Sequence, residues 1–361
     1  RRGRAVTLDG KESCCGENSA EARILAADWR YNLRDRLSEL LVRCGFGRMS
    51  YRVEPGLYAL GRPDEESPVM VTANYKMSFD RLRRNLAGRS AWILVLDTKG
   101  VNVWCAAGKG TFGTEELVRR AASTGLSGRV THRRLIVPQL GATGVSAYRV
   151  KESSGWKVVF GPVRAEDLPE FIDAGMKATP AMRRIGFSLA DRLVLVPVDV
   201  KAHLKYLLLA AAVFFALSGL VRGGYSIDAM LVHGTASAVL LAAALVSGGV
   251  LTPVLLPWLL PRPFAVKGAV VWAAVLAGIT LTTDMVTGAG HSPAETAGML
   301  GILAWLMIGG AASSYLAMNF TGATTFTSLS GVRLEMKYAL PAQVISAAAG
   351  TVLWIVLRYF Q

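Results

Sequence analysis

From about residue 206 onward the chain consists of apolar runs separated by short polar breaks. Membrane spans are predicted near Tyr206–Val221, Ala229–Leu251, Ala265–Thr283, Ala297–Met318 and Leu340–Leu357. Each is close to the roughly 20 residues that cross a bilayer core. Between the second and third, Thr252–Pro263 is apolar but holds four prolines, so it is expected to bend out to the interface. The first 200 residues follow another rhythm. Ala20–Leu41 reads as a helix with Leu25, Leu33, Leu37 and Leu40 on one face. Short apolar runs then read as strands at Val69–Ala73, Trp92–Asp97, Leu135–Pro138, Val158–Val163 and Leu193–Val196. Helical stretches lie between them at Phe79–Ala87, Glu115–Ser123, Ala165–Ala174 and about Pro180–Phe187. Strand–helix alternation with fully apolar strands predicts an α/β fold, a mostly parallel sheet with helices on both faces. The expected organisation is an α/β head over residues 1–200 and a bundle of about five transmembrane helices over residues 201–361.

Charge divides the chain at the same place. Residues 1–200 hold 32 Lys+Arg and 22 Asp+Glu (net +10), and residues 201–361 hold 8 and 4 (net +4), which together give the +14 of the whole chain. The basic surplus suits a solvated surface beside a membrane, and it also suits an anionic lipid, a phosphate-bearing cofactor or an acidic partner. No zinc-finger, helix-turn-helix or RNP pattern accompanies it, so nucleic acid is not an expected partner. Lys201, Lys205, Arg262, Lys267, Arg333 and Lys337 fall on one side of the predicted spans. That bias places the head in the cytoplasm and the C-terminus outside, in the cell's inner membrane. His233 and Asp284 lie in or at the edge of spans, but no chain of carboxylates marks an ion pathway. Pairs such as Gly248-Gly249 and Gly309-Gly310 suit close helix packing. The Thr/Ser/Gly-rich segment Asn319–Tyr338 reads as a polar connector, or as a surface that docks the head.

Four cysteines, Cys14, Cys15, Cys44 and Cys105, match neither a disulfide framework nor a CxxC…CxxC metal site. A reduced compartment follows. Residues 1–20 are polar and read as an irregular terminus. No GxGxxG follows the first strand, and GxxxxGK[ST] and GxSxG motifs are missing, which argues against dinucleotide, P-loop and serine-hydrolase chemistry.

Unusual residues gather where strands end. After the run closing at Asp97 comes a turn at Lys99-Gly100, then Asn102-Val103-Trp104-Cys105-Ala106-Ala107-Gly108-Lys109. Asn102 is a good N-cap for a short helix. Ala106, Ala107 and Gly108 leave little bulk around Cys105, so a flat ligand has room to approach, with Trp104 as an aromatic wall. On these residues alone, Cys105 is as readily a small buried hydrophobe as a reactive thiol.

The uninterrupted segment NVWCAAGK resembles the signature of the mercury-methylating corrinoid proteins, membrane-bound relatives of the corrinoid iron–sulfur protein of the acetyl-CoA pathway. The layout is similar too, a corrinoid-binding head followed by about five membrane helices, with residues 1–60 matching least. The resemblance implies a Rossmann-like corrinoid-binding head. It implies that Asn102 to Lys109 form a cap helix beneath the corrin ring, with Cys105 as lower axial ligand of cobalt. The cofactor implied is cobalamin or a related corrinoid. The activity implied is anaerobic methyl transfer to Hg(II), giving methylmercury by way of methyl-Co(III). A methyl donor such as methyltetrahydrofolate, acting through a separate methyltransferase, is also implied. So is a ferredoxin-like partner with two [4Fe–4S] clusters, since no Cys₄ pattern occurs here.

Two further strand ends are expected on the Cys105 edge. One is Thr72 to Asn74; the other is Gln139, Leu140, Gly141, Ala142, Gly144 and Val145. Their backbone N–H groups suit corrin amides or the phosphate of a nucleotide tail, and they also suit ordinary turns. A thiolate trans to a cobalt-bound methyl is a strong donor, and axial-ligand identity is a lever on such a metal. Methyl transfer to another acceptor, and a non-catalytic corrinoid-binding module, stay open as alternatives. The Cys14-Cys15 pair suits mercury by softness, or is a plain pair of surface thiols.

Overall fold

The computed structural model describes residues 23–260, 262–287, 298–320 and 329–360. The chain separates into two compact units. One runs to Val42 and from Phe46 to Ile185; the other joins Arg43–Gly45 to Gly186–Gln361. The expected pair Cys14-Cys15 lies outside the described residues.

The head is built on a six-stranded sheet. In chain order its elements are β1 (Ile24–Ala27), α1 (Leu33–Arg43), β2 (Gly56–Leu60), β3 (Val69–Ala73), α2 (Lys76–Asn85), β4 (Ala91–Leu96), α3 (Val103–Gly108), α4 (Thr114–Ser123), β5 (Arg134–Val137), α5 (Ala147–Ser154), β6 (Lys157–Phe160) and α6 (Leu168–Asp173). The strand order is β1-β2-β4-β3-β5-β6. β4, β3, β5 and β6 run parallel, whereas β2 is antiparallel to β4 and parallel to β1.

Alternation along the strands explains the two layers of helices. Val69, Val71 and Ala73 with Trp92, Leu94, Leu96, Leu135 and Val137 pack on one face against Leu117 of α4 and Val150 of α5. Met70, Ile93, Val95 and Ile136 pack on the other against Phe79 and Leu82 of α2 and Phe171 of α6. The chain leaves β3 for its neighbour β4 and then crosses to β5 on the other side of β3. The carboxyl ends of β3 and β5 therefore flank the point where winding reverses, the place where open α/β sheets bind ligands.

Three local expectations are corrected. Ala20–Leu41 is not one helix: Leu25 lies in β1, paired in parallel with Tyr58 of β2, and the helix begins only at Leu33. Pro180–Phe187 forms a turn and then irregular backbone. Leu193–Val196 is not a strand but the junction of α7 (Leu189–Leu193) and α8 (Val196–Leu217). The second unit thus begins ahead of residue 200.

That unit continues with a two-stranded hairpin, β7 (Leu220–Val221) and β8 (Gly224–Tyr225), and then α9 (Ile227–Val246). A π-type turn, Ser247–Leu251, leads to α10 (Thr252–Leu255). α11 (Phe264–Thr287), α12 (Gly298–Asn319) and α13 (Leu329–Phe360) follow. Five helical stretches, Leu189–Leu217, Ile227–Trp258, Phe264–Thr282, Gly298–Asn319 and Ser330–Phe360, are long and apolar enough to cross a membrane. Small residues let them approach: Gly309 packs on the ring of Trp272, whose indole N–H donates to the carbonyl of Trp305 at 3.0 Å.

The proline-rich segment does not bend out at Thr252; helix continues to Trp258. Pro257 has no N–H to give the carbonyl of Pro253. The guanidinium of buried Arg192 donates to that carbonyl at 3.0 Å and to that of Val254 at 2.6 Å. The connector expected over Asn319–Tyr338 is shorter, since Arg333, Glu335, Lys337 and Tyr338 already ride on α13; residues 321–328 lie outside the described residues. His233 is half-buried on α9, and Asp284 falls in α11 with its side chain outside the described residues.

Between α1 and α2 the head buries charge. Arg83 donates to Asp80 at 2.7 Å, to Asp35 at 3.1 Å and to the carbonyls of Asp28 and Arg30 at 2.5 and 2.6 Å. Lys76 bridges Asp35 at 3.0 Å and also pairs with Asp80. Removing one partner leaves buried charge poorly compensated. Arg83→Met is therefore expected to cost about 3 kcal/mol of head stability, read as faster amide hydrogen exchange throughout β3 and β4 in the full chain.

Candidate functional site

At the carboxyl end of β3 the buried amide of Asn74 organises the next loop. Its oxygen accepts from Thr98 N–H at 3.1 Å, Thr98 O–H at 2.9 Å and Gly100 N–H at 2.9 Å. Its nitrogen donates to Asp97 at 3.2 Å. The turn after β4 is tight enough to put Lys99 and Gly100 at φ of 59° and 76°; the left-handed region is open to glycine and costly for lysine. A second clamp is Glu116 of α4, which accepts from Asp97 N–H at 2.9 Å and from Arg120 at 2.8 Å, and pairs with Arg119. Burial pushes the Glu116 carboxyl up, but the Asp97 N–H and the two arginines outweigh it and hold it below the usual range. Burial acts likewise on Asp97, and Lys99 brings that carboxyl down too.

The clamped turn delivers α3. Asn102 is its N-cap, and its side-chain oxygen accepts from the N–H of Cys105 at 2.9 Å. Val103, Ala106 and Ala107 face the core. Trp104 is half-buried, whereas Cys105, Gly108 and Lys109 are exposed. The spacing of 103, 106 and 107 against 105, 108 and 109 is that of opposite helix faces. A side chain added at Gly108 or Gly110 would meet nothing within 4 Å. The outer face of α3 is therefore a thiol beside open space. Space beside Cys105 comes from Gly108, while Ala106 and Ala107 serve packing instead.

The loop after β5 supports α3 from below. Gly141 lies against Phe112, whose ring a Cβ there would meet at 2.5 Å. Gly144 lies against Ala107 and the Phe112 carbonyl. Phe112 is fully buried, and its N–H donates to the carbonyl of Ala106 at 3.1 Å, turning the chain back under α3. Val145 is buried, Leu140 and Ala142 are half-buried, and Gln139 carries a buried side-chain oxygen with no hydrogen-bond partner.

The structure thus brings the β3, β4 and β5 ends to one edge. Thr72 is buried inside β3, and Asn74 spends its amide within the protein, so neither presents a side chain outward. Sequence reasoning missed Thr98, Glu116 and Phe112. The nearest signal was the polar run Asp97-Thr98 ending an apolar strand. Among the described residues no three His, Cys, Asp or Glu side chains gather to hold an ion. A lone exposed thiol suits a metal that brings its other donors in a macrocycle. The open glycine face and the unpartnered Gln139 oxygen fit a large, flat, polar-edged group.

Residues 46–172 match the family model of the CO dehydrogenase/acetyl-CoA synthase delta subunit. The acetyl-CoA decarbonylase/synthase complex subunit gamma of Methanopyrus kandleri is 35% identical over 128 residues, covering 35% of this chain and 27% of that protein. The protein of that name from Methanocaldococcus jannaschii is 32% identical over 127 residues, 35% and 26% of the two chains. The corrinoid/iron-sulfur protein large subunit of Moorella thermoacetica is 29% identical over 127 residues, 35% and 28%. The chain spans about a quarter of the length of these relatives.

Two outcomes are expected at the site. Asn102→Ala removes a cap of about 1 kcal/mol and speeds exchange of the Cys105 amide, whereas Asn102→Asp preserves it. Glu116, depressed in the folded state, contributes stability that is complete above its unfolded value of about 4.3 and lost as pH falls through its lower folded value. Acid titration of Glu116→Gln should therefore show a head less stable at neutral pH, with a shallower further loss below about pH 4.

Proposed function

From a head related to the corrinoid protein of the acetyl-CoA pathway, we propose a membrane-anchored corrinoid protein that transfers a methyl group to Hg(II). The observation that carries this reading is the exposed thiol of Cys105 on the outer face of α3, beside the open positions Gly108 and Gly110.

When bound, the corrinoid supplies a cobalt-held methyl group able to leave with its bonding electrons, the polarity that an electrophilic mercuric ion requires. The chain's own residues do the rest. Cys105 would hold the group's metal through its sulfur. Asn102 fixes the Cys105 backbone, so the thiol is held rather than searched for. Phe112, Gly141 and Gly144 brace α3 from beneath. Asn102, Val103, Trp104, Ala106, Ala107, Gly108 and Lys109 form the cap as one unit. Backbone groups at Gln139 to Gly144, with the Gln139 oxygen, are suited to the edge of the macrocycle or its tail.

The proposed partners are a ferredoxin-like protein with two [4Fe–4S] clusters as reductant and a methyltransferase passing on a methyl group from methyltetrahydrofolate. The proposed location is the inner membrane, with the head in the cytoplasm. A second reading keeps the corrinoid and changes the acceptor. It is favoured by the names of the relatives, which are subunits of an acetyl-CoA decarbonylase/synthase complex.

The test is full chain reconstituted with cobalamin, beside Cys105→Ala. A sulfur-to-cobalt signature in ultraviolet–visible and EPR spectra is expected only in the unaltered chain. Methylmercury formation should fall at least about 100-fold in the variant. Cobalamin binding without methyl transfer to Hg(II), but with transfer to a carbon-fixing acceptor, would select the second reading. Failure of both chains to bind cobalamin would end both.

A further inference from the structure

Helix α1 is amphipathic in the unexpected sense. Its polar side faces the head. Asp35 bonds Lys76 at 3.0 Å and Arg83 at 3.1 Å, Ser38 bonds the Tyr51 hydroxyl at 2.8 Å, and Glu39 accepts from Tyr31. Only Val42 is an apolar residue buried from this helix. The leucines point away. Leu33, Leu37, Leu40 and Leu41 are 71%, 54%, 57% and 55% exposed. The spacing i, i+4, i+7, i+8 makes them one continuous stripe. Exposed Arg34 borders the stripe on one side, and exposed Arg36 borders it on the other.

A soluble surface rarely carries a continuous leucine stripe without a partner. What the partner is follows from where the helix ends. Just beyond its last residue the Gly45 carbonyl accepts from Lys201 Nζ at 2.9 Å, and Gly45 packs against Val198. Both residues lie in the first turns of α8, within the first helix apolar enough to cross a membrane. The end of α1 is thus fastened at the start of a membrane span. A leucine stripe edged by arginines, a few residues along the chain from that attachment, has the composition of a helix lying in the plane of a membrane surface.

We propose that α1 is an interfacial membrane helix. Its leucines enter an acidic leaflet, its arginines meet lipid phosphates, and its opposite face holds the head through Asp35, Ser38 and Glu39. This orients the head through a second membrane contact besides the spans. The proposal rests on the five membrane-spanning helices and not on the identity of the cofactor or of the methyl acceptor.

The test uses the purified full chain in lipid nanodiscs, with photoreactive benzoylphenylalanine placed singly at Leu37, at Leu41 or at Tyr148. Tyr148 is the control, being 73% exposed on α5 of the same head. After illumination, mass spectrometry identifies the adducts. Lipid adducts at Leu37 and Leu41 at least about tenfold above Tyr148, and more in phosphatidylglycerol than in phosphatidylcholine discs, are the expected result. Equal lipid adducts at all three positions would overturn the proposal. So would adducts joining two copies of the chain, which would make the stripe a self-association face. A stripe that forms no adduct in either lipid would overturn it as well. Cobalamin binding by the same preparations keeps the two proposals separable, because a lipid result of either kind leaves the corrinoid result unchanged.

Discussion

The side-chain amide of Asn74 is almost wholly enclosed, and an enclosed amide is costly unless each of its groups finds a partner. Three donors from the next loop and one acceptor from Asp97 meet that demand. They can do so only if residues 97–100 adopt one tight path, including the left-handed backbone at Lys99 and Gly100. That path sets where Asn102 begins α3, and Asn102 in turn fixes the Cys105 amide. The position of an exposed thiol is therefore determined by a buried hydrogen-bond requirement at the end of the neighbouring strand. Glu116 repeats the arrangement from the other side by tying the Asp97 backbone to α4.

This arrangement separates holding from presenting. Asn74, Thr98, Glu116 and Phe112 have their polar and apolar surfaces spent inside the head. Cys105, Gly108 and Lys109 make no comparable commitment and stand on the opposite face of a helix only six residues long. The two loop glycines illustrate the same division. Gly141 and Gly144 are small because the Phe112 ring and the Ala107 backbone press on them, whereas Gly108 is small beside nothing at all. A glycine pressed by neighbours is explained by packing. A glycine with open space on its Cβ side, as at Gly108, is not.

The same distinction explains what could be seen in the sequence. β3 and β4 were legible because a strand buried on both faces has no choice but to be apolar throughout, as Val69–Ala73 and Ala91–Leu96 are. The cap segment was legible because Asn102 must precede the helix it caps. α5 went unseen because only Val150 of it is buried, which leaves no stripe to read. At Thr72 and Asn74 the sequence left binding and an ordinary turn both open, because a polar residue at a strand's end looks the same whether it serves a ligand or a turn. Leu193–Val196 resembled a strand by its apolar run alone, and length could not separate it from a helix junction. The leucines at 33, 37 and 40 gave the correct helical period. Period alone does not say which side of a helix meets protein, and here the partners of Asp35 and Ser38 decide it.

The membrane unit obeys a related rule under a stricter solvent. Two of its buried cations, Arg192 and Lys267, are occupied with backbone. Arg192 takes up the carbonyl that Pro257 cannot serve, together with that of Val254, and Lys267 points its ammonium toward the carbonyl of Leu256 at 3.4 Å. Both lie around the same interruption, where helix gives way to the proline-rich turn. An interrupted helix exposes carbonyls that lipid cannot satisfy, so cations drawn there complete the backbone. Satisfaction is not complete in either unit: a side-chain oxygen each of Asp199 and Gln343 is buried with no hydrogen-bond partner in the helical unit, as that of Gln139 is in the head.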